Sequence, residues 1–241
     1  MVKKVLISAA GRGTRMLDLA KNKPKHLIEV NGRPFLYYLL NNLKMAGFKD
    51  FVMVVGYKKE FMEDFLDQYK DDFNITLVNQ FEILGEEKYG TACPLWCAKE
   101  FLQGHSFLSV YGDNLYAVED LKNFNIEDSY SYVAGLEHPE PQNYGVLKVE
   151  NGYLKEIVEK PEKPIGKLIN TGLYKFTSEV FDYLDKINLS PRGEYELTDV
   201  INLLAQKDSV KVKALEGVWL DFGKPADLKK VSDYLNAQKN N

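Results

Sequence analysis

The chain has 241 residues, of which 45% are hydrophobic, so it is long enough to bury a substantial core in one large domain or two small ones. Its 31 Lys and Arg residues against 35 Asp and Glu residues give a net charge of −4, which argues against general affinity for nucleic acid. No apolar stretch approaches the ~20 residues that span a bilayer, and residues 1–4 lead directly into a predicted strand, so we expect a cytoplasmic protein without a membrane partner.

Apolar runs and helix-like segments alternate along the first half of the chain. They predict strands at residues 2–8, 51–55, 75–78 and 107–111, and helices at 34–46, 60–70 and 92–102. Pro34 at the start and Gly47 at the end of the first helix suit helix boundaries. Such alternation predicts right-handed βαβ units and an α/β fold with a doubly wound, mainly parallel Rossmann-like sheet.

The second half is richer in strands. Its pattern predicts strands at 130–136, 145–149, 153–158, 210–214 and 218–220, and helices at 178–184, 194–205 and 225–235. Asn151-Gly152 favours a two-residue hairpin turn between two of these strands. We expect the second half to complete the same, mixed sheet and to add an inserted substrate-binding lobe, so that residues 1–241 form a single domain.

A glycine-rich loop with two arginines follows the first strand. Gly11 and Gly13 allow main-chain N–H groups to approach an anion, and Arg12 and Arg15 add positive charge. A second basic cluster comes ten residues later, at Lys21, Lys23 and Lys25. Two basic clusters on one short connection predict a polyphosphate ligand.

The two commoner phosphate-binding patterns do not fit this loop. A dinucleotide fingerprint needs a third glycine where this chain has Met16, and no acidic residue directly ends the strand 51–55. A Walker loop needs Ser or Thr after its Gly-Lys, but Gly223-Lys224 is followed by Pro225. Without a dinucleotide fingerprint the sequence does not support hydride transfer, and without a Walker loop it does not support kinase or motor activity.

The two cysteines, Cys93 and Cys97, lie four residues apart on one face of a predicted helix. The three histidines show no spacing that would complete a metal site with them, so we expect both cysteines to pack in the core.

Short motifs continue along the chain after the loop. In order they are Gly11-x-Gly13-Thr14-Arg15-Met16, Lys23-Pro24-Lys25-x-Leu27, Asn31-Gly32-x-Pro34, Gly90-Thr91-Ala92, Tyr111-Gly112-Asp113, Tyr144-Gly145-Val146, Glu159-Lys160-Pro161, Asn170-Thr171-Gly172-Leu173-Tyr174, Arg192-Gly193-Glu194 with Leu197-Thr198-Asp199, and Trp219-Leu220-Asp221-x-Gly223. This series resembles the signature of the sugar-1-phosphate nucleotidylyltransferases. The likeness is closest to glucose-1-phosphate thymidylyltransferases and uridylyltransferases, and it covers nearly the whole chain.

The resemblance implies the nucleotide-diphospho-sugar transferase fold, with a nucleotide-binding half at 1–115 and a sugar-phosphate-binding half at 116–241. It also implies attack by a sugar-1-phosphate oxygen on the α-phosphorus of UTP or dTTP, with release of pyrophosphate. Such a reaction needs charge neutralisation and alignment and no protein nucleophile. The sequence leaves a homo-oligomer open as a partner, and we expect one activity only.

Cations and carboxylates are the candidates for the chemistry. Arg15 ends the loop where charge on the phosphates would develop, and the family implies that Lys25 also reaches a phosphate; otherwise both are surface cations. Asp113 and Asp221 each follow an apolar run at the carboxyl end of a predicted strand. Together they can hold one Mg²⁺, whereas either alone could cap a turn.

Substrate-binding residues follow from the resemblance. Candidates for binding the nucleotide are Ala10, Gly11, Gly13, Thr14, Gln80, Gly90 and Thr91, with the Gln80 amide facing the base and the backbone at Gly90 approaching the base plane. Candidates for binding the sugar phosphate are Gly145, Glu159, Lys160, Asn170 and Thr171. A surface Glu-Lys pair is the plain alternative for 159–160, and Glu194 could cap the helix predicted to start there.

Other functions of this fold remain open at this point. The stretch 81–89 is longer and more acidic than the family's usual spacing between the glutamine and the glycine. A cytidylyltransferase or guanylyltransferase acting on a sugar phosphate or on choline phosphate would share the glycine-rich loop. A catalytically silent nucleotide-sugar sensor would keep the fold and lose loop cations or metal carboxylates, all of which are present here.

The loop arginine gives a first prediction. Arg15→Ala should lower turnover by roughly 10²-fold or more while the chain stays folded, because charge stabilisation in a transition state typically has an effect of this size. Turnover is measured as pyrophosphate release and folding by circular dichroism. A variant within about threefold of wild type would remove Arg15 from the mechanism.

Overall fold

Buried strands alternate with helices along most of the chain. The computed structural model describes residues 1–11, 16, 19–21, 23–56 and 58–239. Within them the strands are β1 (Lys4–Ala9), β2 (Glu29–Val30), β3 (Arg33–Pro34), β4 (Asp50–Val55), β5 (Asn74–Asn79), β6 (Phe107–Tyr111), β7 (Asn114–Tyr116), β8 (Ser131–Glu137), β9 (Gly145–Glu150), β10 (Tyr153–Glu159), β11 (Leu168–Phe176), β12 (Val210–Ala214) and β13 (Trp219–Asp221).

The helices lie between these strands. They are α1 (Phe35–Met45), α2 (Lys59–Tyr69), α3 (Gln80–Leu84), α4 (Cys93–Leu102), α5 (Val118–Asn123), α6 (Leu197–Ala205) and α7 (Asp227–Lys239), with 3₁₀ segments at Lys25–Leu27, Pro141–Asn143 and Ser178–Lys186. Of the helices described, none is long and apolar enough to cross a membrane.

One large mixed sheet organises the fold. In the described part of the chain it has nine strands in the order β5-β4-β1-β6-β11-β8-β12-β10-β9. The first four, β5, β4, β1 and β6, are parallel and form the predicted doubly wound half. Beyond β6 the sheet is mostly antiparallel, because β11 pairs antiparallel with both β6 and β8, and β10 with β12 and β9, while β8 and β12 are parallel.

Strand β1 shows why the sheet is buried on both faces. Val5 and Ile7 pack into one hydrophobic cluster that includes residues of α1, and Leu6 packs into another that includes residues of α4. Successive side chains of a strand point to opposite faces, so an uninterrupted apolar run requires a helical layer on each side. The α/β class and the two covered faces agree with the prediction.

The structure corrects several predicted elements. The nine-residue strand β11, in the middle of the sheet, was not predicted, because Asn170, Thr171 and Gly172 interrupt its apolar pattern. The strand predicted at 218–220 does not join the main sheet: β13 pairs with β7 in a separate two-stranded sheet. The helix predicted at 178–184 is a 3₁₀ segment, and the helix predicted from 194 begins at Leu197.

Both cysteines lie in α4 as buried free thiols, as predicted. Burial raises the pKa of Cys93 to about 11 and that of Cys97 to about 12. They are packing residues at neutral pH, since the thiolate is the reactive form.

The unpredicted strand β11 gives a stability prediction. Leu173 is fully buried opposite Val110 of β6, so Leu173→Ala should lower the free energy of unfolding by roughly 2–5 kcal/mol through lost burial and a residual cavity. Leu189→Ala is the matched control, because Leu189 is 56% exposed. Urea unfolding measures both. Equal stabilities of the two variants would contradict a central place for β11.

Candidate active site

Two cavities lie side by side at the carboxyl ends of β1 and β6. The first cavity, of about 140 Å³, is lined by Ala10 and Gly11 after β1 and by the segment 89–91. The second cavity, of about 310 Å³, is lined by residues of β9, β10, β11 and β13. Thr91, Tyr111 and Asp113 line both. This is the edge at which open α/β sheets bind ligands.

The predicted site residues meet at these two cavities. The first cavity is lined by Ala10, Gly11, Lys25, Gln80 and Gly90. The second is lined by Gly145, Glu159, Lys160, Asn170, Thr171 and Asp221. Both are lined by Thr91 and Asp113. Gly13, Thr14 and Arg15 lie outside the described residues.

A largely buried ion pair stands at the junction of the cavities. The Lys25 ammonium, in the 3₁₀ segment after the loop, donates to the Asp113 carboxylate just beyond β6. Burial alone would raise the pKa of Asp113, but the charge of Lys25, with smaller contributions from His26 and hydrogen bonds, brings that pKa below its usual value. Asp113 is therefore an anion at neutral pH.

His26 packs beside this pair and was given no role from the sequence. Burial, reinforced by the neighbouring Lys25 charge and only partly opposed by Asp113, lowers the pKa of His26 to about 3. Its Nδ1 is buried and has no hydrogen-bond partner among the described residues. The ring lines the first cavity as a neutral side chain.

The backbone segments that carry the two predicted metal-binding aspartates, Asp113 and Asp221, lie side by side in space. Asp221 pairs with Asn114 across the small β7–β13 sheet, and the Phe222 N–H donates to the Asp113 carbonyl at 2.8 Å. Asp221 therefore ends a strand, as predicted, and that strand belongs to the small sheet and not to the main sheet. The following turn is held by Asp227, whose carboxylate accepts the N–H groups of 223 and 224 at 3.1 and 2.9 Å.

The protein's own packing requires glycine at position 90, apart from the predicted contact with a base. The φ of Gly90 is +138°, and a Cβ atom would lie 2.2 Å from the carbonyl oxygen of Tyr195. Backbone bonds from Ala92 N–H to Tyr195 O and from Tyr195 N–H to Tyr89 O, each 2.9 Å, hold the two segments together. Glycine is required here for a close approach of the protein's own backbone, whatever else the cavity accepts.

Glu159 and Gly145 are packed against one another in the second cavity. A Cβ atom on Gly145 would lie 3.0 Å from Glu159 Oε2. Burial raises the pKa of Glu159; Arg192 and Lys160 oppose this shift, and two further glutamates add to it. Lys160 has a φ of +43°, unusual for a side chain other than glycine, and its N–H donates to Tyr144 O at 3.0 Å.

Asn170 and Thr171 already make contacts inside the protein. The Asn170 amide donates to the Tyr174 hydroxyl at 2.7 Å and accepts the Gly172 N–H at 3.1 Å. The buried Thr171 hydroxyl donates to Ala134 O at 3.3 Å. Asn170 keeps a second amide hydrogen and a second acceptor position for a ligand, whereas the Thr171 hydroxyl proton is already used.

Several lining residues were missed from the sequence. Tyr111, Arg192, Glu196 and Trp219 all line the second cavity. The motif around Arg192 was recognised, but the helix start was predicted at Glu194. The helix begins at Leu197, whose N–H donates to the Thr91 hydroxyl at 2.8 Å, and Glu194 lines the first cavity instead of capping the helix.

The buried histidine gives a prediction on pH. Below its ordinary pKa of 6.5 the unfolded chain binds a proton that folded His26 does not take up until about pH 3. His26 therefore makes stability fall as pH falls through this window, by about 2 kcal/mol between pH 7 and pH 5.

Urea unfolding at pH 7 and pH 5 measures this difference. His26→Gln should remove it, while His105→Gln, at an exposed histidine, should keep it. The same pH dependence in both variants would show that His26 is not the group responsible.

Known proteins are similar to this chain in sequence over most of its length. The chain is 37% identical over 224 residues to the bifunctional sugar-1-phosphate nucleotidylyltransferase/acetyltransferase of Sulfurisphaera tokodaii, matching 92% of this chain and 53% of that one. It is 32% identical over 232 residues to the UTP–glucose-1-phosphate uridylyltransferase AglF of Haloferax volcanii, matching 92% of each chain. The chain spans about half the length of the bifunctional relatives that it matches.

A solved structure agrees with the sequence relatives. It is assigned as a glucose-1-phosphate thymidylyltransferase of Bacillus anthracis and superposes with a TM-score of 0.84 at 25% identity, over 97% of this chain and 95% of that one. The family model described as Nucleotidyl transferase matches residues 4–238, and the chain belongs to this family.

Proposed function

We propose that the chain transfers a nucleotidyl group from UTP or dTTP to a sugar-1-phosphate of the glucose-1-phosphate kind, giving a nucleotide-diphospho-sugar and pyrophosphate. The observation that carries this proposal is the pair of adjoining cavities that share Thr91, Tyr111 and Asp113. Two cavities that meet at common residues suit two substrates that must react with each other. The transferase names of the relatives support the same reaction.

The first cavity would take the nucleoside triphosphate. Ala10 and Gly11 begin the glycine-rich loop there, and Gly13, Thr14 and Arg15 continue it in sequence. Gln80 lines the same cavity at 1% exposure, so its amide is fixed enough to select a base edge. Uracil and thymine both present an N–H beside carbonyl oxygens, which an amide side chain can pair with.

The second cavity would take the sugar-1-phosphate. Lys160 and Arg192 supply positive charge for its phosphate, and Glu159 and Asn170 offer acceptors and a donor for sugar hydroxyls. Burial raises the pKa of the Glu159 carboxyl group, and the charges of Arg192 and Lys160 oppose this shift.

Catalysis in this arrangement is alignment and charge neutralisation. A phosphate oxygen of the sugar phosphate attacks the α-phosphorus, and pyrophosphate leaves on the opposite side. Lys25 stands at the junction where the two substrates would meet, so its ammonium can turn from Asp113 to the phosphate oxygens. Arg15 would stabilise the charge that develops on the same phosphates.

The donor set at the junction fits Mg²⁺. Asp113 already holds a cation, the Lys25 ammonium, and Asp221 lies across the adjoining small sheet. Among the described residues no three His, Cys, Asp or Glu side chains form a metal cluster. Two carboxylates suit an ion that takes its other ligands from water and substrate phosphates. When bound, the ion would neutralise phosphate charge beside the α-phosphorus.

The reaction is tested by pyrophosphate release. UTP, dTTP, CTP, GTP and ATP are each combined with glucose-, N-acetylglucosamine-, galactose- and mannose-1-phosphate and with choline phosphate. We expect turnover only when both substrates and Mg²⁺ are present, with UTP or dTTP and glucose-1-phosphate preferred. Binding of a nucleotide sugar without turnover in any combination would replace this proposal by a sensor. Preference for CTP with choline phosphate would correct both substrates.

Variants of the two aspartates test the shared ion in the same assay. Asp113→Ala and Asp221→Ala should each lower turnover, and the double variant should lose much less than the product of the two losses. Asp67→Ala removes the same charge from an exposed position of α2 and should match wild type. Fully multiplicative losses would argue that the carboxylates act independently.

A further inference from the structure

A buried carboxylate connects the two cavities. The Glu196 side chain is 8% exposed and lines the second cavity. Its Oε1 accepts N–H groups from Arg192 Nη2 at 2.7 Å and Nε at 3.2 Å, and the Ser190 hydroxyl at 3.2 Å. Its Oε2 accepts the hydroxyl of Thr91, which lines both cavities, at 3.2 Å.

The directions of these hydrogen bonds are determined by the neighbouring backbone. The Thr91 hydroxyl accepts the Leu197 N–H at 2.8 Å, so its own proton is left for Glu196. The Ser190 hydroxyl accepts the N–H groups of 192 and 194 at 3.3 and 3.4 Å, so it too donates to Glu196. Every described partner of Glu196 is therefore a donor. Only a carboxylate can accept from all of them, because a glutamine would turn its NH₂ group toward another donor.

Arg192 depends on this carboxylate for its orientation. Its side chain is 45% exposed, so packing alone does not fix it. Glu196 engages Nε and one hydrogen of Nη2, which leaves the Nη1 hydrogens for an anion in the second cavity. Holding a long cationic side chain in advance removes part of the entropy cost of binding an anion.

We propose that Glu196 is a positioning residue that couples the two cavities, holding Arg192 for the sugar phosphate with one oxygen and Thr91 on the shared wall with the other. This inference rests on the proposed function and deepens it. A substrate that binds in the first cavity and orders Thr91 would also order Glu196 and, through it, Arg192. Each substrate should therefore bind more tightly when the other is present.

Calorimetric binding tests the coupling. Glucose-1-phosphate is titrated into the chain with Mg²⁺, without and with the α,β-methylene analogue of UTP, which cannot release pyrophosphate. For wild type we expect the analogue to increase the affinity at least about fivefold, the lower end of typical couplings. For Glu196→Gln we expect an affinity for glucose-1-phosphate about tenfold weaker, since the loss of one modest hydrogen bond to a charged group changes an affinity by about that factor. We also expect its coupling factor to be close to one.

Two further variants separate positioning from stability. Glu156→Gln removes an exposed ion pair to Lys148, also 2.7 Å long, on β10, and should keep the wild-type affinity and coupling. Arg192→Lys keeps the positive charge and loses the planar guanidinium group whose Nε and Nη2 donate to Glu196. It should lose coupling even if Glu196→Gln proves too unstable to assay. Melting temperatures are recorded for all variants.

The outcomes distinguish this inference from the proposed function. If wild type turns over and Glu196→Gln or Arg192→Lys keeps its affinity and coupling, Glu196 is only structural and the inference fails alone. Tighter binding by Glu196→Gln would also overturn it, since the carboxylate would then merely cancel the charge of Arg192. If wild type binds neither substrate, the proposed function fails and this inference fails with it.

Discussion

The antiparallel pairing of β11 with β6 brings the two halves of the site together. Leu173 lies opposite Val110, so the polar start of β11 runs beside the end of β6 and the residues that follow it. Gly172 permits this approach, because at its φ of +77° a Cβ atom would lie 2.3 Å from the Tyr111 ring. Tyr111 lines both cavities. A shifted register would separate the second cavity from the first, so the proposed reaction depends on this pairing.

Charge in the site is arranged as two buried carboxylates, each paired with a cation. Lys25 neutralises Asp113 at the junction and Arg192 neutralises Glu196 in the second cavity. Unpaired, these carboxylates would be costly to bury and would repel anionic substrates. Paired, they hold cations where the phosphates of the proposed substrates would lie. In the proposed reaction the Lys25–Asp113 ion pair would break when a phosphate binds Lys25, and a divalent ion on Asp113 would compensate for that loss.

The sequence predicts those parts of the fold that local patterns encode. Apolar runs between turn signals predicted β1, β4, β5 and β6, and glycines and strand-end aspartates predicted residues that do line the cavities. The pattern failed at β11, because Asn170 and Thr171 are polar and are held there by Tyr174 and Ala134, partners that periodicity cannot show. The recognised motifs contain residues that line the two cavities, and tertiary contacts determine which of their polar atoms already have a partner inside the protein.

The contact between segments 89–92 and 190–197 shows why other parts of the site could not be predicted from local sequence patterns. Glu196 meets Thr91 across 105 positions of sequence, and Gly90 is a glycine because the Tyr195 backbone fills the place of its side chain. Each half of the chain supplies one of the two segments, and each segment has polar groups whose hydrogen-bond partners lie in the other. We therefore propose that the two halves fold together as the expected single domain. The same contact connects Glu196 to a residue that lines both cavities, as its proposed positioning role requires.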